Sequence, residues 1–182
     1  MSVETGKNLG GIGSILLVIP FPFLGIVGII LVLLGMKNLS QAYNDQSIWK
    51  NTLNAVIFGI IGLIGSGLTL VSLFFGGLFY GSAGFAGLLG LILFLVIAFI
   101  FFILEAIYIR KAFDSLADKS GVGLFRTGGL LLLIGAVLTI VLVGLFLIFI
   151  AWILILVGFF SIPTATQQSQ MPPPAPPAPS IT

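Results

Sequence analysis

Four stretches of this chain carry no charged side chain over 20 residues or more: Leu9–Met36, Thr52–Tyr80, Phe85–Leu104 and Thr127–Pro163. Runs of that length, rich in Leu, Ile, Phe and Gly, read as transmembrane helices rather than core helices. A membrane β-barrel would need apolar and polar residues in alternation, and no such alternation is present. The fold class expected is therefore all-α, a polytopic helical membrane protein. Glu4 and Lys7 precede the first run and no small-residue cleavage motif follows it, so it reads as a retained span rather than a signal peptide.

Two of the runs are too long or too broken for a single helix. Gly128–Ser161 as one helix would extend ~50 Å, against a hydrocarbon core of ~30 Å. The first run holds Pro20-Phe21-Pro22 near its midpoint, where two prolines remove two backbone donors and clash with preceding carbonyls. The layout expected is six transmembrane helices arranged as hairpins, over residues 5–19, 23–44, 47–76, 82–119, 122–139 and 142–161. Outer turns then fall at Pro20–Pro22, Gly76–Gly81 and Thr139–Leu142. The alternative is four spans, with a kinked first helix and a long tilted last one. Trp152 leans toward that alternative, because it would sit mid-bilayer in the six-span layout.

In the six-helix layout every basic residue (Lys7, Lys37, Lys50, Arg110, Lys111, Lys119, Arg126) lies at one side, which the positive-inside rule makes cytoplasmic. The expected location is the cell membrane, multi-pass, with basic loops in the cytoplasm. Charge is otherwise scarce: 7% of residues are charged and the net charge is +2, too little and too dispersed for nucleic-acid binding. With no Cys and no His, zinc, iron-sulfur and thiolate sites lack their ligands, as does any imidazole triad. No glycine-rich segment carries the Lys-Ser/Thr ending of a phosphate loop, and paired carboxylates are missing from the spans. An enzyme is not expected, nor a metal or a cofactor.

Two polar turns break the apolar runs. In Lys37–Asn51, Asn44-Asp45 reads as a helix stop followed by an N-cap. In Ile109–Gly128 the preceding span continues as an amphipathic helix with Ile109, Ala112, Phe113 and Leu116 on one face. Arg110 and Asp114 pair on the other, and Ser120-Gly121 ends the helix. Lys37-x-Leu39-Ser40-Gln41-x-x-Asn44 lines up with Lys111-x-Phe113-Asp114-Ser115-x-x-Asp118, and Trp49-Lys50 parallels Phe125-Arg126. That is either a faint repeat of hairpin units or the common chemistry of any two such turns.

The segments KNLSQAYND, IWKN and LADKSGVGLFRTGGLLLLIGAVLTIVLVG, with AW and FFSIP downstream, resemble a largely archaeal family of uncharacterised membrane proteins, domain of unknown function 996. The resemblance runs from about Gly6 to Pro163 and is most specific from Lys119-Ser120-Gly121-Val122 through Arg126-Thr127-Gly128. It implies an integral membrane protein and carries over no activity or substrate. Some relatives append a zinc ribbon, which this chain, having no Cys, lacks.

Glu105 is the one acidic residue set beside a hydrophobic run. Such a group is a candidate for proton relay or cation binding. The plainer reading is an interfacial carboxylate that faces water or Arg110. Glycines form the other pattern: Gly59, Gly62 and Gly65 recur every third residue in the third helix, and Gly81, Gly84, Gly87 and Gly90 in the fourth. They read as helix-packing seams, with a pore or flexing-helix role as the alternative. After Pro163 the composition turns to TATQQSQMPPPAPPAPSIT, expected to be a disordered proline-rich tail (164–182) outside the transmembrane domain (1–163). Taken together, these features describe a structural or interaction component of the membrane. Its partners are the lipid bilayer and a second copy or a membrane complex. The alternative is a small transporter or channel using Glu105.

Overall fold

The structure, a computed structural model, describes residues 2–19, 21–79 and 84–164, with the backbone alone at residues 22, 72–79 and 84–89. Among them the regular elements are all helical. They are α1 (Val3–Val18), α2 (Pro22–Ala42), α3 (Gln46–Phe79), α4 (Gly84–Ser120), α5 (Leu124–Leu138) and α6 (Val143–Phe160), with a 3-10 turn at Thr139–Val141. By length and composition, five of the six can cross a membrane. The chain is an all-α polytopic membrane protein. The exception is α1, whose 16 residues reach ~24 Å.

The two awkward runs fold back on themselves, so the kinked and overlong helices of the four-span alternative do not form. Pro22 opens α2 in the first turn, where a missing N–H costs nothing. Phe21 N–H donates to the Ile19 carbonyl at 2.7 Å and closes the bend; Pro20 lies outside the described residues. Between α5 and α6 the chain reverses through Leu142, a non-glycine residue at φ 62°. That left-handed conformation is costly for a side chain of this size. It is tolerated here where Leu142 projects outward and the helices beside it close tightly, since a Cβ on Gly144 would overlap the Gly135 carbonyl.

Each hairpin packs along its length, and the three close into a ring through α4 on α5, α1 on α6 and a lighter contact of α2 on α3. α1 and α2 also meet at backbone contact, at several points along their length. A Cβ on Gly13 would stand 2.7 Å from the Gly28 carbonyl oxygen, and one on Gly35 would stand 2.6 Å from the Gly10 nitrogen. Gly6, Gly10 and Gly13 thus form a strip of bare backbone facing Gly28 and Gly35, a seam of the small-residue type that joins helices in lipid.

The densest core lies at the end that holds the polar turns. Met36, Leu39, Ile48, Phe113, Leu116, Phe125 and Phe159 are fully buried there. Phe113 stacks on Phe125 with centroids 5.8 Å apart, and Phe159 meets Phe125 edge-on at 5.0 Å. The amphipathic face of α4 expected from its spacing supplies this core: Ala112, Phe113 and Leu116 are buried and Ile109 packs beside them. At the other end the helices are unequal. With 34 and 37 residues, α3 and α4 run ~51 and ~55 Å, well past the tips of the two shorter hairpins.

Replacing Gly35 by Ala should lower the thermal midpoint in detergent by an amount corresponding to ~1–3 kcal/mol of overpacking. Gly25→Ala on the same helix, where a Cβ meets nothing within 4 Å, should hold or raise it, since alanine favours helix by up to about 1 kcal/mol. Circular dichroism melting of the two variants side by side checks the seam.

Candidate functional site

Glu105 and Arg110 sit on one helix but do not meet. Five residues advance ~7.5 Å and turn ~140°, and Arg110 instead lies with Nε 3.6 Å from Asp114 Oδ2, one turn on. The Glu105 side chain points the other way, at α3. A Cβ built on Gly59 would stand 2.8 Å from Glu105 Cδ and 2.9 and 3.0 Å from its two oxygens. The carboxylate therefore rests against the bare backbone of Gly59. Among the described residues it has no hydrogen bond and no ion pair.

It borders a cavity of about 390 Å³ inside the ring, to which all six helices contribute: Leu17 of α1, Val32 of α2, Thr52 of α3, Glu105 of α4, Ala136 of α5 and Trp152 of α6. Its walls are chiefly hydrocarbon. Thr52 Oγ1 donates its hydrogen to the Ile48 carbonyl at 2.7 Å and Ser66 Oγ to the Gly62 carbonyl at 2.9 Å. Both hydroxyls thereby present only lone pairs to the interior. Trp152 stands edge-on to Phe113 at 6.4 Å and lines the cavity. That explains an indole well inside the bundle, where the interfacial preference of Trp would not place it. No Lys or Arg is among the lining residues. The polar groups around the space are thus a carboxylate, two acceptor hydroxyls and one indole N–H.

The polar turns fix the end of the bundle below this cavity. Asn44 takes a left-handed conformation, φ 52°, and stops α2; Asp45 Oδ1 then accepts from Ser47 N–H at 2.9 Å and caps α3. Gly121, φ 72°, ends α4 in the same way, with its N–H on the Ala117 carbonyl at 2.9 Å. The two turns are tied to each other by Lys119 Nζ, 3.8 Å from Asp45 Oδ2, and by Ser47 Oγ donating to Ser115 Oγ at 3.0 Å. Arg126 pairs with Asp118, while Lys37 stands 5.4 Å over Trp49 and Lys111 5.1 Å over Tyr108. Lys7 Nζ donates to the Ile162 carbonyl at 3.0 Å, which brings both ends of the helical domain to this basic face and neutralises the C-terminal carbonyls of α6. Hydrogen bonds from Ser47, side chain and backbone, with Lys119 adding to them, hold the Asp45 carboxyl below its ordinary range.

The remaining glycines of the sequence pattern divide. Gly62 faces Phe101 Cβ at 3.4 Å and Gly65 faces Ala98 Cβ at 3.6 Å, ordinary contacts of α3 with α4. At Gly90 a Cβ would meet nothing within 4 Å. Gly81 lies outside the described residues, as do the surroundings of Gly84 and Gly87 and the whole of 165–182. Sequence reasoning missed the cavity wall itself, although a signal exists: Thr52, Gly59 and Ser66 recur every seventh residue, which sets one small or polar position per two turns on a single face of α3. It also passed over the Gly6, Gly10, Gly13 strip of α1, whose four-and-three spacing is the mark of a helix seam.

The family described as Protein of unknown function (DUF996) matches residues 24–153, a range that holds Thr52, Gly59, Ser66, Glu105 and Trp152. An uncharacterized protein of Methanocaldococcus jannaschii is 34% identical over 171 residues, which cover 90% of this chain and 94% of the relative. No solved structure matches.

The Asp45 cap makes stability depend on pH with a definite sign. Because the folded carboxyl titrates lower than the unfolded one, its contribution is present at neutral pH and is lost as pH falls through its lowered value, beneath about 4. Asp45→Ala should cost ~1 kcal/mol at pH 7, and its deficit against the wild type should shrink in acid; denaturation of both proteins across that range measures it.

Proposed function

We propose, for a chain that belongs to the family Protein of unknown function (DUF996), the role of a multi-pass carrier of the cell membrane that takes a cation at Glu105 within its six-helix ring. One observation carries this reading: a carboxylate with no partner among the described residues borders an intramembrane cavity that all six helices line. A carboxylate in an apolar cavity is costly unless it is matched or takes up a proton, so its presence supports a site for a proton or another cation. Gly59 makes room for it, since any side chain there would displace the carboxylate. The cavity wall offers no nucleophile held by a base, with both hydroxyls turned to their own helix carbonyls. That supports binding rather than catalysis. The basic end, where Lys7 meets the Ile162 carbonyl and the two polar turns are tied, faces the cytoplasm on the positive-inside rule, with both ends of the helical domain there.

A second reading, a structural or interaction component that associates with its own copies or with a larger membrane complex, draws on the length of the α3–α4 hairpin. Leu63, Leu70 and Leu93 are 73%, 67% and 59% exposed, an apolar surface that lipid or another helix would cover.

Purified protein in liposomes should pass a monovalent cation down its gradient, and Glu105→Gln should abolish that flux while the variant still melts like the wild type. Equal flux with and without protein would sink the carrier. A compartment-sensitive reporter fused at Thr182 should read cytoplasmic. A strict monomer in mild detergent, with no co-purifying protein, would remove the second reading.

A further inference from the structure

We infer that the cavity takes one amphiphilic organic monocation, an ammonium or phosphonium centre on an apolar body, admitted sideways from the lipid between α2 and α3. The inference rests on the reading of Glu105 as the cation-binding group and names its ligand class. One carboxylate borders the space and no basic side chain does, so one positive charge neutralises it and an anion would meet repulsion. The two hydroxyls agree, because Thr52 and Ser66 have already donated to carbonyls and can only accept from a bound N–H, which leaves the Trp152 indole as the one side-chain donor on the lining.

The size and the walls then separate an organic cation from a bare metal ion. A hard cation replaces its water with six or more oxygens at short range. Here three side chains supply oxygen, and among the described residues no group of three His, Cys, Asp or Glu stands together. A volume of about 390 Å³ falls instead in the range of small-molecule sites, ~300–1,000 Å³, whose lining is mostly apolar. Phe102 and Trp152, side chains of the kind whose π faces attract a diffuse cation, are on that lining.

The route follows from exposure. Ile29 of α2 and Ile60 and Leu63 of α3 line the cavity and are also 46%, 52% and 73% exposed. The opening thus lies between two membrane helices and is rimmed by aliphatic side chains. A hydrated ion gains nothing from such a mouth, whereas an amphiphile already partitioned into the bilayer does.

Tetraphenylphosphonium binding to the full chain in lipid nanodiscs, corrected against empty discs, tests this. Saturable binding of one cation per chain is expected, with tetraphenylborate, the anion of the same shape, at least a hundredfold weaker. Glu105→Gln should weaken the cation at least tenfold, and Leu63→Trp should slow its association severalfold. Comparable binding of the anion overturns the assignment on the wild-type protein alone, whatever the variants do to folding, and an unchanged association rate in Leu63→Trp overturns the lateral route. If tetraphenylphosphonium does not bind while Glu105-dependent flux of a small inorganic cation persists, the ligand class falls and the carrier stands. If it binds at Glu105 without any flux, the site stands and the carrier falls.

Discussion

Helices in lipid gain no hydrophobic free energy by touching each other, because the acyl chains they displace are as apolar as leucine. What draws them together is close packing, and packing is closest where a residue has no side chain. Glycine is thus the residue on which this bundle depends. Gly6, Gly10 and Gly13 let α1 settle on α2 at backbone contact, and Gly135 with Gly144 does the same for α5 and α6 at their shared bend. Once two hairpins are bound so tightly, their rings and branched side chains meet in one place. Phe113, Phe125 and Phe159 fill the junction of α4, α5 and α6 at the basic end, and the ring of six helices closes there.

The same property has a different consequence at Gly59. Against α4 it does not bring two backbones together; it leaves a notch in which a carboxylate fits, 2.8 Å from where a Cβ would be. Moving outward along the same face of α3, Gly62 and Gly65 have only ordinary neighbours on α4, so the helices stay close without being clamped. Packing and site formation thus use one residue type for opposite ends: exclusion of space in α1–α2, and provision of space around Glu105.

Much of the architecture was legible in the residues because it follows from local rules. The charge-free runs give membrane helices, and the two prolines and the excess length of the last run give the reversals at Phe21 and Leu142. Asn44, Asp45 and Gly121 have the roles that their backbone chemistry assigns them. The site was legible only as a residue. Glu105 stands out by being ionisable in an apolar run, yet its neighbour in sequence, Arg110, is engaged with Asp114 and turns away. Which groups surround the carboxylate depends on how three hairpins assemble, a long-range outcome to which periodicity within one helix is nearly blind. Trp152 shows the same limit: interfacial preference argued against its helix, and tertiary packing against Phe113 explains it.

The unequal lengths of the hairpins tie the fold to the opening of the cavity. At ~51 Å and ~55 Å, α3 and α4 exceed a ~30 Å hydrocarbon core and must tilt or project, whereas α2, with 21 residues, matches the core at ~31 Å. The α2–α3 contact is the lightest between neighbours in the ring. The basic end of this pair is closed, with Met36, Leu39 and Ile48 fully buried, whereas farther out Ile29 and Leu63 line the cavity and are exposed. Helices of such different length cannot all match one hydrocarbon thickness, so the long hairpin is the part of the bundle that must accommodate the mismatch, by tilt or by projection.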